Sequence, residues 1–188
     1  METESGAEII SSAHVRHILR YVNAAAYLRP DDVVLDAACG TGYGTRILAE
    51  KCLGVIGTDL NKAALEHAWQ EMSINVQFMQ SDLLRTSFNV DAIVSIETIE
   101  HFDCVEGGRL VSNFYDWLRP NGTLVISTPY CSKSGPSEFN KLHLCEYSLT
   151  DLEILLNNGG FRIDDMKLTR AEFPPVRLGY CMVKASKK

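Results

Sequence analysis

A chain of 188 residues with 46% apolar residues, 22% charged residues and a formal net charge of −6 has room for one globular core of ordinary composition and not for two. No apolar run approaches the roughly 20 residues that a membrane-crossing helix needs, and Lys and Arg are dispersed except in the terminal Lys184-Ala185-Ser186-Lys187-Lys188, so membrane insertion is excluded and nucleic acid is the less favoured partner. The opening Met1 to Glu8 is acidic and polar, unlike a signal peptide, and the six cysteines at 39, 52, 104, 131, 145 and 181 form no C-x-x-C pair, which predicts a cytoplasmic protein with reduced thiols and neither a disulfide framework nor a zinc knuckle.

Residues 9–28 carry Ile10, Ala13, His14, Ile18, Tyr21, Val22 and Ala25 at near-helical spacing without Gly or Pro. That pattern predicts a helical lid over residues 1–30, lined by His14, Arg16, His17 and Tyr21, ahead of a core in residues 31–188. Leu28-Arg29-Pro30-Asp31-Asp32 stops the helix and a strand begins at Val33–Ala37. A glycine-rich turn and a helix over residues 44–51 follow, then a strand at 54–58, a helix capped by Asn61 and running to 72, and a strand at Val76–Gln80. Residues 90–95 (VDAIVS) hold the apolar run Ala92-Ile93-Val94 and read as a strand, parallel and covered on both faces. A helix at 104–118 is stopped by Arg119-Pro120-Asn121-Gly122; a strand at 123–127, a loop at 128–147, a helix at 149–157 and strands at Phe161–Thr169 and 179–185 complete the chain. Strands alternating with helices predict an α/β, doubly wound, mostly parallel sheet in a single domain, with its ligand crevice at the carboxyl ends of the strands where their order reverses.

The stretch Val33 to Thr45, VVLDAACGTGYGT, joins the first strand to the first core helix and holds glycines at 40, 42 and 44. Glycine tolerates positive φ and lets a ligand approach the backbone, and free N–H groups at a helix start favour a carboxylate or phosphate. Asp36, four positions before Gly40, would repel the pyrophosphate that a G-x-G-x-x-G turn holds, whereas a ligand bearing both an ammonium and a carboxylate suits it. Asp59 closes the second strand, where an acid can accept both hydrogen bonds of a ribose diol, and Asp82 follows the third strand in Gln80-Ser81-Asp82-Leu83.

Asp36-Ala37-Ala38-Cys39-Gly40-Thr41-Gly42 resembles the first motif of the class I S-adenosylmethionine-dependent methyltransferases, and the resemblance extends over nearly the whole chain. It implies a Rossmann-like, seven-stranded sheet ending in an antiparallel hairpin. It also implies S-adenosyl-L-methionine as cofactor, surrounded by Asp36, Ala38, Gly40, Gly42, Asp59, Leu60, Ser81, Asp82, Leu83 and Glu97. In that arrangement Asp82 receives the exocyclic amine of the adenine, Leu83 packs on the base, and Glu97 closes the pocket through its backbone.

On the acceptor side, Ser95-Ile96-Glu97-Thr98-Ile99-Glu100-His101 follows the fourth strand, and on a helical turn Glu97, Glu100 and His101 would share one face. His143 lies in the long loop, in Leu142-His143-Leu144-Cys145-Glu146-Tyr147-Ser148, and long loops often carry active-site groups. His101, His143 and Glu100 are the candidate catalytic residues, because an imidazole titrates near neutral pH and can take the proton of an oxygen acceptor. Cys39 reads as a packing residue, and Glu146-Tyr147-Ser148 as the start of the helix at 149. The E-x-x-E-H motif and later histidine also resemble the small-RNA 3′-terminal 2′-O-methyltransferases, which implies a divalent metal, Mg or Mn, on Glu97, Glu100, His101 and His143. The acidic charge and the lack of an RNA-binding extension weigh against RNA itself. The whole pattern of ACGTGYG, S-x-E-T-I-E-H and H-x-x-E-Y is most similar to bacterial and phage methyltransferases found near glycan-assembly enzymes, which implies a small-molecule, sugar or lipid-linked glycan hydroxyl as acceptor. Ubiquinone-type O-methyltransferases share E-x-x-E-H, so the acceptor stays open. Thr128-Pro129-Tyr130 lacks the Asn that marks base-amine methyltransferases. A non-catalytic S-adenosylmethionine-binding module is the alternative of another class, opposed by the crowd of functional side chains on the acceptor side.

Overall fold

The computed structural model describes residues 15–71, 73–169 and 179–187, built on one mixed sheet. Strands β1 (Val33–Ala37), β2 (Gly54–Asp59), β3 (Val76–Gln80), β4 (Val90–Ile96) and β5 (Leu118–Cys131) run parallel. The two-residue β6 (Tyr147–Ser148) pairs with the end of β5, and β8 (Tyr180–Lys187) lies antiparallel between β5 and β7 (Phe161–Thr169). The strand order is β3-β2-β1-β4-β5-β8-β7, so order reverses between β1 and β4, where a doubly wound sheet opens its crevice. The expected seven-stranded sheet with its antiparallel C-terminal pair is present, with β6 as an addition beside the end of β5.

The period-two alternation of strand side chains decides which helix meets which face. Leu35, Ile93, Leu124, Ile126 and Val183 point to one side and pack with Leu110 and Phe114 of α4 (Cys104–Trp117) and Leu152 and Leu156 of α5 (Leu149–Asn158). Val34, Ala92, Val94, Val125 and Met182 point to the other and meet Tyr21 and Ala24 of α1 (residues 15–25) and Leu48 of α2 (Tyr43–Ala49). Each fully buried Leu, Ile or Phe contributes about 1.5–3 kcal/mol. Side-chain caps start α3 (Lys62–Ala68) at Asn61, α4 at Asp103 and α5 at Ser148, while α2 begins at Gly42 without one.

Several boundaries differ from expectation. The helix after Asn61 is α-helical only to Ala68 and tightens into a 3₁₀ turn at Trp69–Glu71, and Met72 lies outside the described residues, as do His14 and the start of the expected first helix. β5 begins at Leu118, because Arg119-Pro120-Asn121-Gly122 does not end the element. Pairing jumps from Val90–Leu118 to Ala92–Thr123, with Asn121 at φ 62, so those four residues are absorbed as an irregularity in one long strand. The expected thiols are not all reduced: Cys104 and Cys145, 41 residues apart, form a disulfide with Cα atoms 5.4 Å apart, and the other four cysteines are free. Sequence spacing could not show that pair, since only the return of the chain after β5 brings Cys145 to the start of α4.

Candidate active site

The turn after β1 holds Ala38 at φ 64, Gly40 at 56 and Gly42 at 79. A β-carbon at Gly42 would lie 2.6 Å from the Phe78 ring and one at Gly44 2.2 Å from the Tyr21 ring, so these two glycines answer to packing; at Gly40 a β-carbon meets no protein atom within 4 Å. Gly40 is therefore the glycine over which a ligand has room. Its N–H donates to Asp59 Oδ2 at 2.8 Å, and the Asn61 N–H donates to Oδ1 at 2.8 Å. The acid at the end of β2 is thus braced against the turn, and a carboxylate so held keeps lone pairs for a further donor. The Ser81 N–H donates to the Asp59 carbonyl at 3.0 Å, and its buried hydroxyl has no partner among the described residues. Asp82 accepts from the Leu84 N–H at 2.9 Å and faces Arg85 at 3.3 Å. Leu83 is buried in the core and Leu60 is exposed.

Asp36 is wholly buried and turned into the protein. Its carboxylate accepts from Thr45 Oγ1 at 2.6 Å and from the Tyr21 hydroxyl at 3.1 Å, so one bond from α2 and one from α1 fix its two oxygens beneath the turn. Burial pushes it up to about 7, against the pull of those two hydrogen bonds.

On the acceptor side, β4 runs to Ile96 and Glu97 then takes φ 51. The turn that follows, Ile99–His101, is a 3₁₀ turn that starts after Glu97, so the expected single face for Glu97, Glu100 and His101 is not formed. Glu97 is held by Ser127 Oγ at 2.9 Å and Arg20 Nη2 at 3.3 Å, and Arg20 lies 4.0 Å from the centre of the Tyr180 ring. Burial raises Glu97, with Arg20 opposing.

Glu100, His101 and His143 do converge. One ligand-type atom from each lies within 4.8 Å of the others, a group that does not include Glu97. Glu100 Oε2 accepts from Thr128 Oγ1 at 3.0 Å, while Oε1 is buried without a partner among the described residues. Burial, then the nearby Glu97 carboxylate, pushes Glu100 up to about 8, which favours its protonated form. His101 Nδ1 sits 3.0 Å from the Leu142 carbonyl and His143 Nδ1 2.7 Å from Glu146 Oε1, with the two rings edge to face at 5.1 Å between centroids. The Glu100 carbonyl accepts from the Leu144 and Cys145 N–H groups at 2.7 and 3.1 Å, which is how the segment after β5 is brought over the 3₁₀ turn. Arg20, Thr128 and Glu146 belong to this neighbourhood but not to the residues singled out from sequence. The one signal for Arg20 was its helical phase with the buried Ala24, an arginine on the apolar stripe.

Residues 34–122 match a family model described as a methyltransferase domain. Over that span, just under half of its length, the chain is similar to methyltransferase domains. Among its relatives is a Mycolicibacterium smegmatis protein named as a probable S-adenosylmethionine-dependent methyltransferase, 30% identical over 156 residues that cover 80% of this chain and 59% of that protein. Another is phosphoethanolamine N-methyltransferase 3 of Arabidopsis thaliana, 33% identical over 148 residues, 71% of this chain and 29% of that protein. This chain therefore spans under two thirds of the length of the curated relatives it matches. Among solved structures, magnesium protoporphyrin IX methyltransferase from Synechocystis PCC 6803 with bound SAH superposes with a TM-score of 0.76 at 20% identity, over 93% of this chain and 84% of that one, a likeness of fold. Among the described residues, no helix is long and apolar enough to cross a membrane.

Proposed function

We propose that this domain transfers the methyl group of S-adenosyl-L-methionine to an oxygen acceptor, a hydroxyl of a small molecule or sugar. The observation that carries the reading is the convergence of Glu100, His101 and His143 within 4.8 Å, on the β4 and β5 side of a turn whose Gly40 faces open space and Asp59. The cofactor would lie over Gly40, with Asp59 accepting from its ribose hydroxyls and the Ser81-Asp82-Leu83 turn beside its adenine. Methyl transfer is a direct displacement: the acceptor oxygen bonds to the methyl carbon as the carbon–sulfur bond breaks, so the protein's share is alignment and removal of the hydroxyl proton. Glu100, favoured in its protonated form, is an acid and hydrogen-bond donor there, which leaves the two histidines, and of these His143, paired with the Glu146 carboxylate, is the one to take the proton. His143→Ala is expected to keep S-adenosylhomocysteine affinity and lose turnover on a panel of sugars and phenols, with phosphoethanolamine as the amine control. Turnover that survives the substitution would remove His143 from the chemistry.

A second reading rests on the same group. The two imidazoles and the Glu100 carboxyl, with one ligand-type atom of each within 4.8 Å of the others, would make an imidazole and oxygen set suited to Mn²⁺; Glu97, held by Arg20 and Ser127, stands outside it. Titrating Mn²⁺ into the S-adenosylhomocysteine-bound protein separates the two. Saturable binding lost in His101→Ala and His143→Ala supports metal-assisted transfer to a ribose or other diol, RNA 3′ ends included, and no binding supports metal-free transfer.

A further inference from the structure

We propose that Glu146 is a positioning residue of the acceptor site, whose carboxylate holds His143, one of the group it forms with Glu100 and His101, in the Nδ1–H form and leaves Nε2 bare. The inference rests on the reading of His143 as the group that takes the acceptor's proton. His143 lies in a segment between β5 and β6 with no helix of its own, and side chains on such segments ordinarily lack a fixed direction. Here the backbone is fixed on both sides. The His143 N–H donates to the Asn140 carbonyl at 2.9 Å, its carbonyl accepts from the Ser137 N–H at 3.1 Å, and Glu146 exchanges hydrogen bonds with Gly135 at 2.8 and 3.0 Å. Cys145, next to Glu146, is tied to Cys104 at the start of α4.

This frame sets His143 and Glu146 three residues apart with their side chains 14% and 17% exposed and Nδ1 2.7 Å from Oε1. An ionised carboxylate only accepts, so the proton of the neutral imidazole resides on Nδ1 and the lone pair on Nε2. His101 has a carbonyl, that of Leu142, in the same place. A carbonyl fixes a tautomer as well, but it lacks the charge that would stabilise an imidazolium; Glu146 supplies that charge to His143 alone of the two. In the transfer step the hydroxyl proton passes to Nε2 while the oxygen–methyl bond forms and the methyl–sulfur bond breaks, and the resulting imidazolium rests against the Glu146 carboxylate until it returns the proton to water.

Long-range ¹H–¹⁵N correlation spectra of ¹⁵N-histidine-labelled protein at pH 8 read the tautomer directly, the His143 signals being those lost in His143→Gln. Wild type is expected to show protonated Nδ1 and bare Nε2, and Glu146→Gln, which keeps an accepting oxygen, the same pattern. Glu146→Leu is expected to shift the pattern toward the Nε2–H form. A wild-type Nε2–H form, a doubly protonated ring, or an unchanged Glu146→Leu pattern would overturn the proposal. This readout needs no acceptor, so a failure to find turnover sinks the proposed reaction without touching it. On any acceptor that is turned over, Glu146→Leu is expected to lower kcat about 10–100-fold at unchanged KM for S-adenosylmethionine. Intact kcat with lost thermal stability would make Glu146 a loop staple and nothing more.

Discussion

Gly40, Gly42 and Gly44 share one turn and answer to different neighbours. The sequence marks all three as a ligand-binding turn, but only the packed structure separates them, because Phe78 and Tyr21 reach the turn from distant parts of the chain. Gly42→Ala places a methyl against the Phe78 ring in a left-handed backbone, and is expected to destabilise by about 2–5 kcal/mol from crowding and strain together. Gly40→Ala meets no protein atom and carries the backbone strain alone, about 1–2 kcal/mol, so it is expected to stay folded while losing S-adenosylhomocysteine affinity. Paired urea melts and calorimetry on the two variants check this, and equal melts with retained binding in both would contradict the division. Asp36 teaches the same lesson in reverse. Its position in the motif suggests a ligand contact, yet its oxygens bind Thr45 and Tyr21, partners that no local pattern reveals.

At the scale of elements, β1, β3 and β7 fall at the bounds read from the sequence, since turn-forming residues flank each of them. β5 was less legible, because Arg-Pro-Asn-Gly has the chemistry of a turn and serves as an irregularity within one strand. The acceptor segment was legible as residues and not as geometry. Glu97, Glu100, His101 and His143 are all visible in the sequence, but the 3₁₀ turn that separates Glu97 from the rest and the Cys104–Cys145 bond that pins His143's segment depend on tertiary contacts. That disulfide closes a loop of 41 residues, worth about 3–4 kcal/mol on the chain-entropy account. Cys145→Ser, or treatment with a dithiol, is expected to lower the melting temperature and to raise hydrogen exchange at the Leu144 and Cys145 amides, which Glu100 holds. Identical melts under oxidising and reducing conditions would show that the bond does not form in solution.

The whole molecule stores buried acid groups beside its crevice. Asp36 and Glu100 have their carboxyls raised to about 7 and about 8, well above those of the unfolded chain. A carboxyl raised in the native state keeps its proton after the unfolded chain has lost it, so unfolding releases protons and native stability falls as pH rises. The fall is expected from about pH 4 to about 8, with the stability fully present below that window, and Glu100→Gln should flatten its upper part. Melting temperatures across that range check the sign; a stability that rises with pH through the window would contradict the burial argument. The doubly wound topology was fully legible, since alternating strand and helix signals with short turns leave few other arrangements, and the crevice that it opens is where the motif residues gather.

Calorimetric titration of S-adenosylhomocysteine into wild type and Asp59→Ala tests the central claim, that the Gly40 turn and the acid bracing it hold the cofactor. Saturable one-to-one binding in wild type, weakened about 100-fold or more in Asp59→Ala through loss of two charge-assisted hydrogen bonds to the ribose, is the expected result. Equal affinity in the two proteins would contradict it.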